Sequence, residues 1–179
     1  MAEGRWRGIV VLAVALAILA AVNLSIAGKE RLLNEGRVVY LELAPVDPRS
    51  LMQGDYMQLN YQLAGEIASR LPRRAEPRPW LPELAPGDGR AVATLDARSV
   101  AMFARLDDGR PLAANEVYLR YRVRDGRLKF ASDAFFFQEG TAAAYETARY
   151  GAYRVADDGE LLLTALHDEQ LRRLPIGSH

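Results

Sequence analysis

The stretch GDYMQLNY at residues 54–61 combines a tight turn with an alternating strand. Gly54 permits backbone conformations that other residues avoid, and the Asp55 carboxylate can accept hydrogen bonds from backbone N–H groups of the turn. Beyond the turn, apolar and polar side chains alternate as far as Leu63, with the period of two that predicts a strand buried on one face. We therefore expect the folded domain to be built around this turn and strand.

The alternation assigns the side chains of this strand to two faces. Leu59 and Tyr61 fall on the apolar face and are predicted core residues. Tyr56 falls on the polar face, where an exposed aromatic side chain is typical of a recognition surface. An equally open alternative is that Tyr56 packs under the Pro-rich loop at residues 72–89.

A rigid loop leads into the turn. The sequence PVDPRS at residues 45–50 contains two prolines, which remove backbone donors and fix their own φ, so it cannot continue a central strand. Asp47, Pro48 and Arg49 therefore precede the turn in an extended segment. The spacing also permits Asp55 to act as a partner of Arg49 or as a general base, although a turn-stabilising role explains it equally well.

The N-terminus carries an uncharged apolar segment. Residues 9–26 read IVVLAVALAILAAVNLSI, which at about 1.5 Å per residue is enough to cross a bilayer. A cleaved signal sequence is the alternative, but the run exceeds the roughly 7–15 apolar residues of a signal peptide. We therefore predict a retained transmembrane anchor at residues 9–28. Arg5 and Arg7 precede it, which favours a cytoplasmic segment 1–8 and an extracytoplasmic domain 29–179 at the cytoplasmic (inner) membrane, facing the periplasm or the outside.

Composition excludes several classes of function. The chain of 179 residues has a formal net charge of zero, which argues against a nucleic-acid-binding protein. It has no cysteine and two histidines, His167 and His179. Thiolate catalysis, zinc sites of the cysteine type and histidine metal clusters are therefore not expected, and no phosphate-binding glycine motif indicates a nucleotide cofactor. We expect no cofactor and no metal.

The rest of the chain has the pattern of an α+β fold, a mainly antiparallel β domain with short helices after one N-terminal transmembrane helix. Asp125-Gly126 marks the clearest hairpin, because this pair tolerates the positive φ of a two-residue turn. Phe135, Phe136 and Phe137 are expected to form a strand buried on both sides. The other expected elements are a Pro-rich surface loop at residues 72–89 and short helices at residues 64–70, 142–150 and 168–174.

The predicted hairpin carries a basic stripe that brings like charges opposite one another. Its members are Arg120, Arg122, Arg124, Arg127 and Lys129. One interpretation is a solvated or internally paired face, with Asp107 and Asp108 as the acidic partners. The other is a surface for anionic lipid headgroups or an acidic partner, since a domain tethered by one helix stays close to the membrane.

Ser50 and Lys129 allow a comparison with membrane-anchored serine–lysine hydrolases, in which a lysine activates the serine. Signal peptidases of this type also place a Gly-Asp pair after the nucleophile, but here three residues separate Ser50 from Gly54, which is shorter than their arrangement. This hydrolase is the alternative to a non-enzymatic role. A third hypothesis, a sensor of a small ligand, requires a pocket beneath the Pro-rich loop.

With these residues in place, the chain resembles the bacterial GDYXXLXY family of membrane-anchored proteins. Gly54, Asp55, Tyr56, Leu59 and Tyr61 occupy all the named positions of its motif. The resemblance also covers the membrane segment, the Asp-Pro-Arg lead-in and the Phe-rich strand, but not the Pro-rich loop. Members are often encoded beside polytopic membrane proteins. The resemblance thus implies a membrane location and a polytopic membrane partner, and it carries over no catalytic residue. We therefore expect a non-enzymatic accessory or interaction domain that docks on a polytopic membrane protein through residues 45–53 and the Tyr56 face.

Overall fold

The computed structural model describes residues 2–44, 52–53, 56–73, 84–132, 134–139 and 141–175. These residues belong to two compact units, Met1–Glu35 and Gly36–His179. The first unit is helix α1 (Ala2–Glu35). Within the described ranges it is the one helix long and apolar enough to cross a membrane, over Ile9–Glu35, and it is a candidate single-pass anchor. We call the second unit the β domain.

The β domain has a mainly antiparallel β architecture with short helices, which confirms the α+β prediction. Its helices are α2 (Gln62–Arg70) and a 3₁₀ turn (Ala142–Tyr145). Its strands are β1 (Arg37–Glu42), β2 (Met52–Gln53), β3 (Tyr56–Gln58), β4 (Gly87–Leu95), β5 (Ala101–Leu106), β6 (Glu116–Arg124), β7 (Arg127–Lys129), β8 (Ala134–Phe136), β9 (Tyr150–Val155) and β10 (Leu161–His167).

The strands form three small sheets. The terminal sheet has the order β1-β9-β10, the motif sheet β2-β3-β8 and the hairpin sheet β5-β4-β6-β7. All pairings between the named strands are antiparallel. Most neighbours in the hairpin sheet are close in sequence, whereas β1 pairs with β9 across most of the domain. The two ends of the β domain are thereby joined in one sheet.

The three sheets share one apolar core. Val39 and Leu41 of β1 and Leu43 beyond it are buried, as expected for alternate residues of a half-buried strand. A bridge between Leu43 and Tyr61 connects the terminal sheet to the segment after β3. Helix α2 packs on β1, β5 and β7, and it buries Ile67 completely. The motif segment therefore lies where the terminal and motif sheets meet.

Two predicted boundaries were wrong around the motif. The alternating strand ends at Gln58, and α2 begins at Gln62 rather than at residue 64. The burial alternation nevertheless continues to Leu63, which is buried, because Leu63 faces the core from the helix. The Pro-rich loop is shorter than predicted, since β4 begins at Gly87. Its residues 74–83 lie outside the described ranges.

Two predicted helices do not form. Within residues 142–150, the 3₁₀ turn ends at Tyr145, and Tyr150 begins β9, because tertiary pairing with β1 and β10 takes up that segment. Residues 168–174 form a turn. The Asp168 carboxylate accepts the backbone N–H of Gln170 and of Arg172, a local bonding pattern that competes with a helix.

Candidate functional site

The motif sheet turns Tyr56 outward. Tyr56 lies opposite Phe136 in the β3–β8 ladder, and Met57 lies opposite Phe135. Residues that are directly opposite in a ladder share one face of the sheet. Met57 is buried in the core, so Tyr56 and Phe136 lie together on the outer face. The expectation that Tyr56 is on the non-core face is confirmed, and it is half-buried.

Phe136 is 75% exposed, which makes the prediction of a strand buried on both sides wrong at this position. Phe135 and Phe137 pack on Tyr145, each with ring centroids 5.2 Å apart. The outward ring of Phe136 contacts Tyr56 instead, with centroids 5.8 Å apart and planes tilted by 41°. We call Tyr56 and Phe136 the aromatic surface. Sequence alternation could have indicated it, but three consecutive Phe residues suggested burial on both faces.

The other half of the motif points inward. Leu59 and Tyr61 are 3% and 5% exposed, which confirms their assignment to the core. The Tyr61 hydroxyl hydrogen-bonds the Tyr153 hydroxyl at 2.5 Å, and the Tyr61 ring meets the edge of Phe130. A Cβ on Gly151 would lie 3.3 Å from the Tyr61 hydroxyl oxygen. This part of the motif ties β9 to the segment between β3 and α2.

The remaining predicted motif residues cannot be placed in this geometry. Asp47, Pro48, Arg49, Gly54 and Asp55 lie outside the described ranges, as does Ser50 of the hypothetical dyad. Their interpretation as a lead-in and turn therefore stays a prediction from sequence. Gln53 lies within the described ranges, in β2, and is opposite Tyr56 of β3 in the ladder.

The basic stripe lies on one face of the β6–β7 hairpin, as its register requires. Arg122 lies opposite Lys129, and Arg124 lies opposite Arg127. Asp125 and Gly126 have φ of 53° and 71°, as a two-residue turn demands. Like charges therefore face one another across the ladder, an arrangement that is mildly destabilising unless acidic groups compensate.

Acidic residues pair with Arg120 and Arg124 of the stripe, but they are not the acidic residues that were predicted. Arg120 pairs with Asp158 at 2.9 Å, and Arg124 pairs with Asp88 at 2.8 Å. Asp107 and Asp108 were the wrong candidates, because they bind other arginines. These pairs are Arg90–Asp107 at 2.6 Å, Arg105–Asp108 at 2.9 Å and Arg110–Asp108 at 2.6 Å. Most of these groups are exposed, where ion pairs contribute little stability, whereas the side chains of Asp107 and Arg105 are 13% and 18% exposed.

His167 is a buried titratable group at the end of β10. Its ring meets the edge of Tyr40 with centroids 5.2 Å apart, and its Nδ1 has no hydrogen-bond partner among the described residues. Burial lowers the pKa of His167 and Arg173 lowers it further, while Asp168 opposes the shift. The backbone N–H of Arg172 holds the pKa of Asp168 below its usual value, with its guanidinium assisting, so this carboxylate stabilises a turn.

In the described ranges, no group of three or more His, Cys, Asp or Glu side chains is placed to hold a metal ion. His167 and Asp168 are neighbours without a third such ligand beside them. The described geometry thus offers two features with possible chemistry, a surface aromatic pair and a basic hairpin face, rather than a catalytic constellation.

The comparisons with known proteins give one match. The family model described as GDYXXLXY protein matches residues 18–166. No curated protein and no solved structure matches the chain. The matched segment spans most of the chain, including the second half of α1, the whole motif, strands β1 to β9 and all of β10 except His167. The protein therefore belongs to the GDYXXLXY family.

Proposed function

We propose that this protein is a membrane-anchored accessory domain that lies outside the cytoplasmic membrane and docks on a polytopic membrane protein. The observation that carries the proposal is Phe136, which is 75% exposed beside the outward Tyr56 of the family motif. Aromatic side chains are enriched in protein interfaces and among the residues that carry binding energy. An exposed aromatic pair at the motif is thus a reasonable docking site.

The chemistry of the aromatic surface defines its partner. Gln58 follows Tyr56 on the same face of β3, and Ala134 lies opposite Gln58, so this face of the β3–β8 ladder is uncharged. An uncharged surface with two aromatic rings fits an apolar side chain from an extracytoplasmic loop of an integral membrane protein. Burial of the exposed part of a Phe ring contributes about 2 kcal/mol, enough to matter in a docking contact.

The orientation of the anchor completes the proposal. α1 is the candidate transmembrane helix, and Arg5 and Arg7 precede its apolar segment. Under the positive-inside rule these residues support a cytoplasmic segment 1–8 and a β domain on the opposite side of the membrane. Reporter fusions at the C-terminus test this orientation. A reporter that works only in the cytoplasm should be inactive there, and its activity would overturn this part of the proposal.

Site-specific crosslinking tests the docking surface. A photoreactive amino acid at position 56 or 136 of the full chain, in intact membranes, should capture one integral membrane protein. Met102 of β5 is 54% exposed and provides the matched control, an apolar strand residue away from the motif sheet. Capture of the same protein from position 102, or of no membrane protein from positions 56 and 136, would contradict the proposal.

Substitution gives a second test. Phe136→Ser and Met102→Ser each remove an exposed apolar side chain, so each should change folding stability by no more than about 0.5 kcal/mol. Only Phe136→Ser should reduce co-purification of the partner. Equal co-purification of the two variants would show that the aromatic surface is not the docking site.

The alternative serine–lysine hydrolase rests on the sequence alone. Lys129 lies in β7 opposite Arg122 and is half-buried, while Ser50 lies outside the described ranges. Covalent labelling of the full chain by a serine-directed probe, lost in Ser50→Ala, would favour the hydrolase over the accessory domain. We expect no such labelling.

A further inference from the structure

Residues 168–175 fold back on the end of β10, and we call them the C-terminal turn. A β-bridge joins Arg173 to His167, and the backbone N–H of Leu174 donates to the carbonyl of Leu166 at 2.9 Å. Leu174 is buried and belongs to the apolar core cluster. The turn is therefore closed by contacts with the last two residues of β10.

The imidazole of His167 lies on the face of the terminal sheet that is turned away from the core. His167 is opposite Tyr150 in the β9–β10 ladder, and residues directly opposite share one face. Tyr153 lies three positions further along β9, so it lies on the other face, where it is completely buried in the core. His167 is nevertheless only 8% exposed, and its described neighbours on this face are the ring of Tyr40 and the C-terminal turn.

The Nδ1 atom of His167 is buried without a hydrogen-bond partner among the described residues. In a neutral imidazole one ring nitrogen carries a proton and the other can accept one, whereas protonation makes both nitrogens donors and adds a positive charge. A buried donor and a buried charge are both costly when they have no partner. The closed turn therefore favours the neutral imidazole over the charged one.

The charges around His167 also disfavour its protonation. Burial lowers the pKa of His167, and the like charge of Arg173 lowers it further, while Asp168 opposes the shift. The Asp168 carboxylate is already bonded within the turn, to two backbone N–H groups and to the guanidinium of Arg172. Strands β1 and β9 contribute two uncharged phenols and one carboxylate that is held in an ion pair of 3.9 Å: Tyr40, Tyr150 and Glu42 with Arg149.

We propose that the C-terminal turn is a pH-sensitive switch, in which protonation of His167 releases residues 168–175 from the end of β10. In the released state, water solvates the imidazolium and Arg173 moves away from it. The turn lies beside β10 at the edge of the terminal sheet, so it can open locally while β9 keeps its ladder with β1. Opening exposes Leu174 and frees the carbonyl of Leu166. The switch does not depend on the proposed docking function.

Hydrogen exchange of the full chain in neutral detergent micelles tests the switch, with mass spectrometry as the readout and intrinsic exchange rates corrected at each pH. The open state has the ordinary histidine pKa of about 6.5, so protection of the turn should be constant above that pH. Below it, protection should fall about tenfold per pH unit down to the pKa of the closed state. At about pH 5, residues 168–175 should be at least about tenfold less protected than the buried part of β4, which opens only on global unfolding. Protection of the turn that is independent of pH, or equal to that of β4, would overturn the proposal.

Two variants identify the titrating group. His167→Gln keeps a polar side chain that does not titrate in this range, so protection of the turn should lose its pH dependence, whatever its level. Glu169→Gln is the matched control, because it removes an exposed carboxylate from the same turn and should keep the tenfold slope. A slope that persists in His167→Gln, or disappears in Glu169→Gln, would assign the transition to another group and overturn the proposal.

Discussion

Gly159 provides the sharpest test of how the sheets are held together. It lies in the turn between β9 and β10 with φ of +89°, and its carbonyl accepts the backbone N–H of Arg120 in β6 at 2.8 Å. The turn of the terminal sheet is thereby fixed on the hairpin sheet. A Cβ at this position would lie 2.9 Å from Cβ of Tyr118 and 3.0 Å from its carbonyl carbon. The carbonyl carbon belongs to the backbone of β6 and the Cβ is fixed to that backbone, so neither atom can move aside cheaply.

The expected cost of Gly159→Ala has three parts. A left-handed backbone costs a residue with a Cβ about 1–2 kcal/mol. Overpacking against a fixed neighbour adds about 1–3 kcal/mol. Displacement of the turn weakens the hydrogen bond to Arg120, which is worth about 1 kcal/mol. We therefore expect Gly159→Ala to lower the free energy of unfolding by about 3–6 kcal/mol.

Gly109→Ala is the matched control. Gly109 also lies in a turn, with φ of +80°, but a Cβ there would meet no atom within 4 Å. It should therefore cost only the backbone part, about 1–2 kcal/mol. The difference between the two alanine variants isolates the packing of the β9–β10 turn on β6.

Urea unfolding of the full chain in detergent, followed by the near-ultraviolet circular dichroism of its tyrosines, measures both variants. Linear extrapolation gives the free energies, provided that the slopes agree. A native domain is stable by only about 5–15 kcal/mol, so failure of Gly159→Ala alone to fold would also agree with the prediction. A difference below about 1 kcal/mol between the variants would refute the reasoning, because the contact with β6 would then be unimportant.

Three further predictions concern the core, pH and the basic face. A double-mutant cycle of Tyr61→Phe and Tyr153→Phe, measured by urea unfolding, should give a coupling of about 1 kcal/mol, and additive effects would show that their hydrogen bond contributes nothing. Burial lowers the pKa of His167 in the folded state. Below pH 6.5 the unfolded state therefore binds more protons than the folded state, and the free energy of unfolding should fall as the pH decreases from 6.5 to the folded-state pKa. His167→Gln should remove this dependence in urea midpoints between about pH 7 and 5, and an unchanged slope would contradict the assignment. Replacement of Arg122 and Lys129 by Glu should weaken association of the protein with anionic liposomes, while its near-ultraviolet circular dichroism should stay unchanged. Unchanged association would exclude a lipid-facing role for the stripe.

Local signals were sufficient for much of the fold. Asp125-Gly126 predicted its hairpin because the backbone conformation of a two-residue turn depends on those two residues alone. A two-residue turn also sets the register of its strands, and in the structure Val123 lies opposite Leu128. The apolar segment of α1 is equally local, since its length and composition need no partner.

Nonlocal pairing explains two of the predictions that were wrong. Residues 142–150 have helical composition, but Tyr150 and Gly151 lie between β1 and β10, which are distant in sequence. Gly151 lies within β9, where an added Cβ would crowd the side chains of Tyr61 and Tyr153. Phe136 is a similar case, because its exposure depends on which face of the motif sheet packs on the core. Sequence composition cannot report such pairings.

The structure separates the described residues of the family motif into two roles. Leu59 and Tyr61 are buried, and Tyr61 joins β9 through Tyr153, so core packing accounts for both. Core packing does not account for Tyr56, which faces outward from a strand that Met57 already anchors. Its described aromatic neighbour is Phe136, itself mostly exposed, so neither ring gains full burial from the pair. Exposed aromatic side chains are typical of interaction surfaces, and this is why the proposed docking experiment centres on positions 56 and 136.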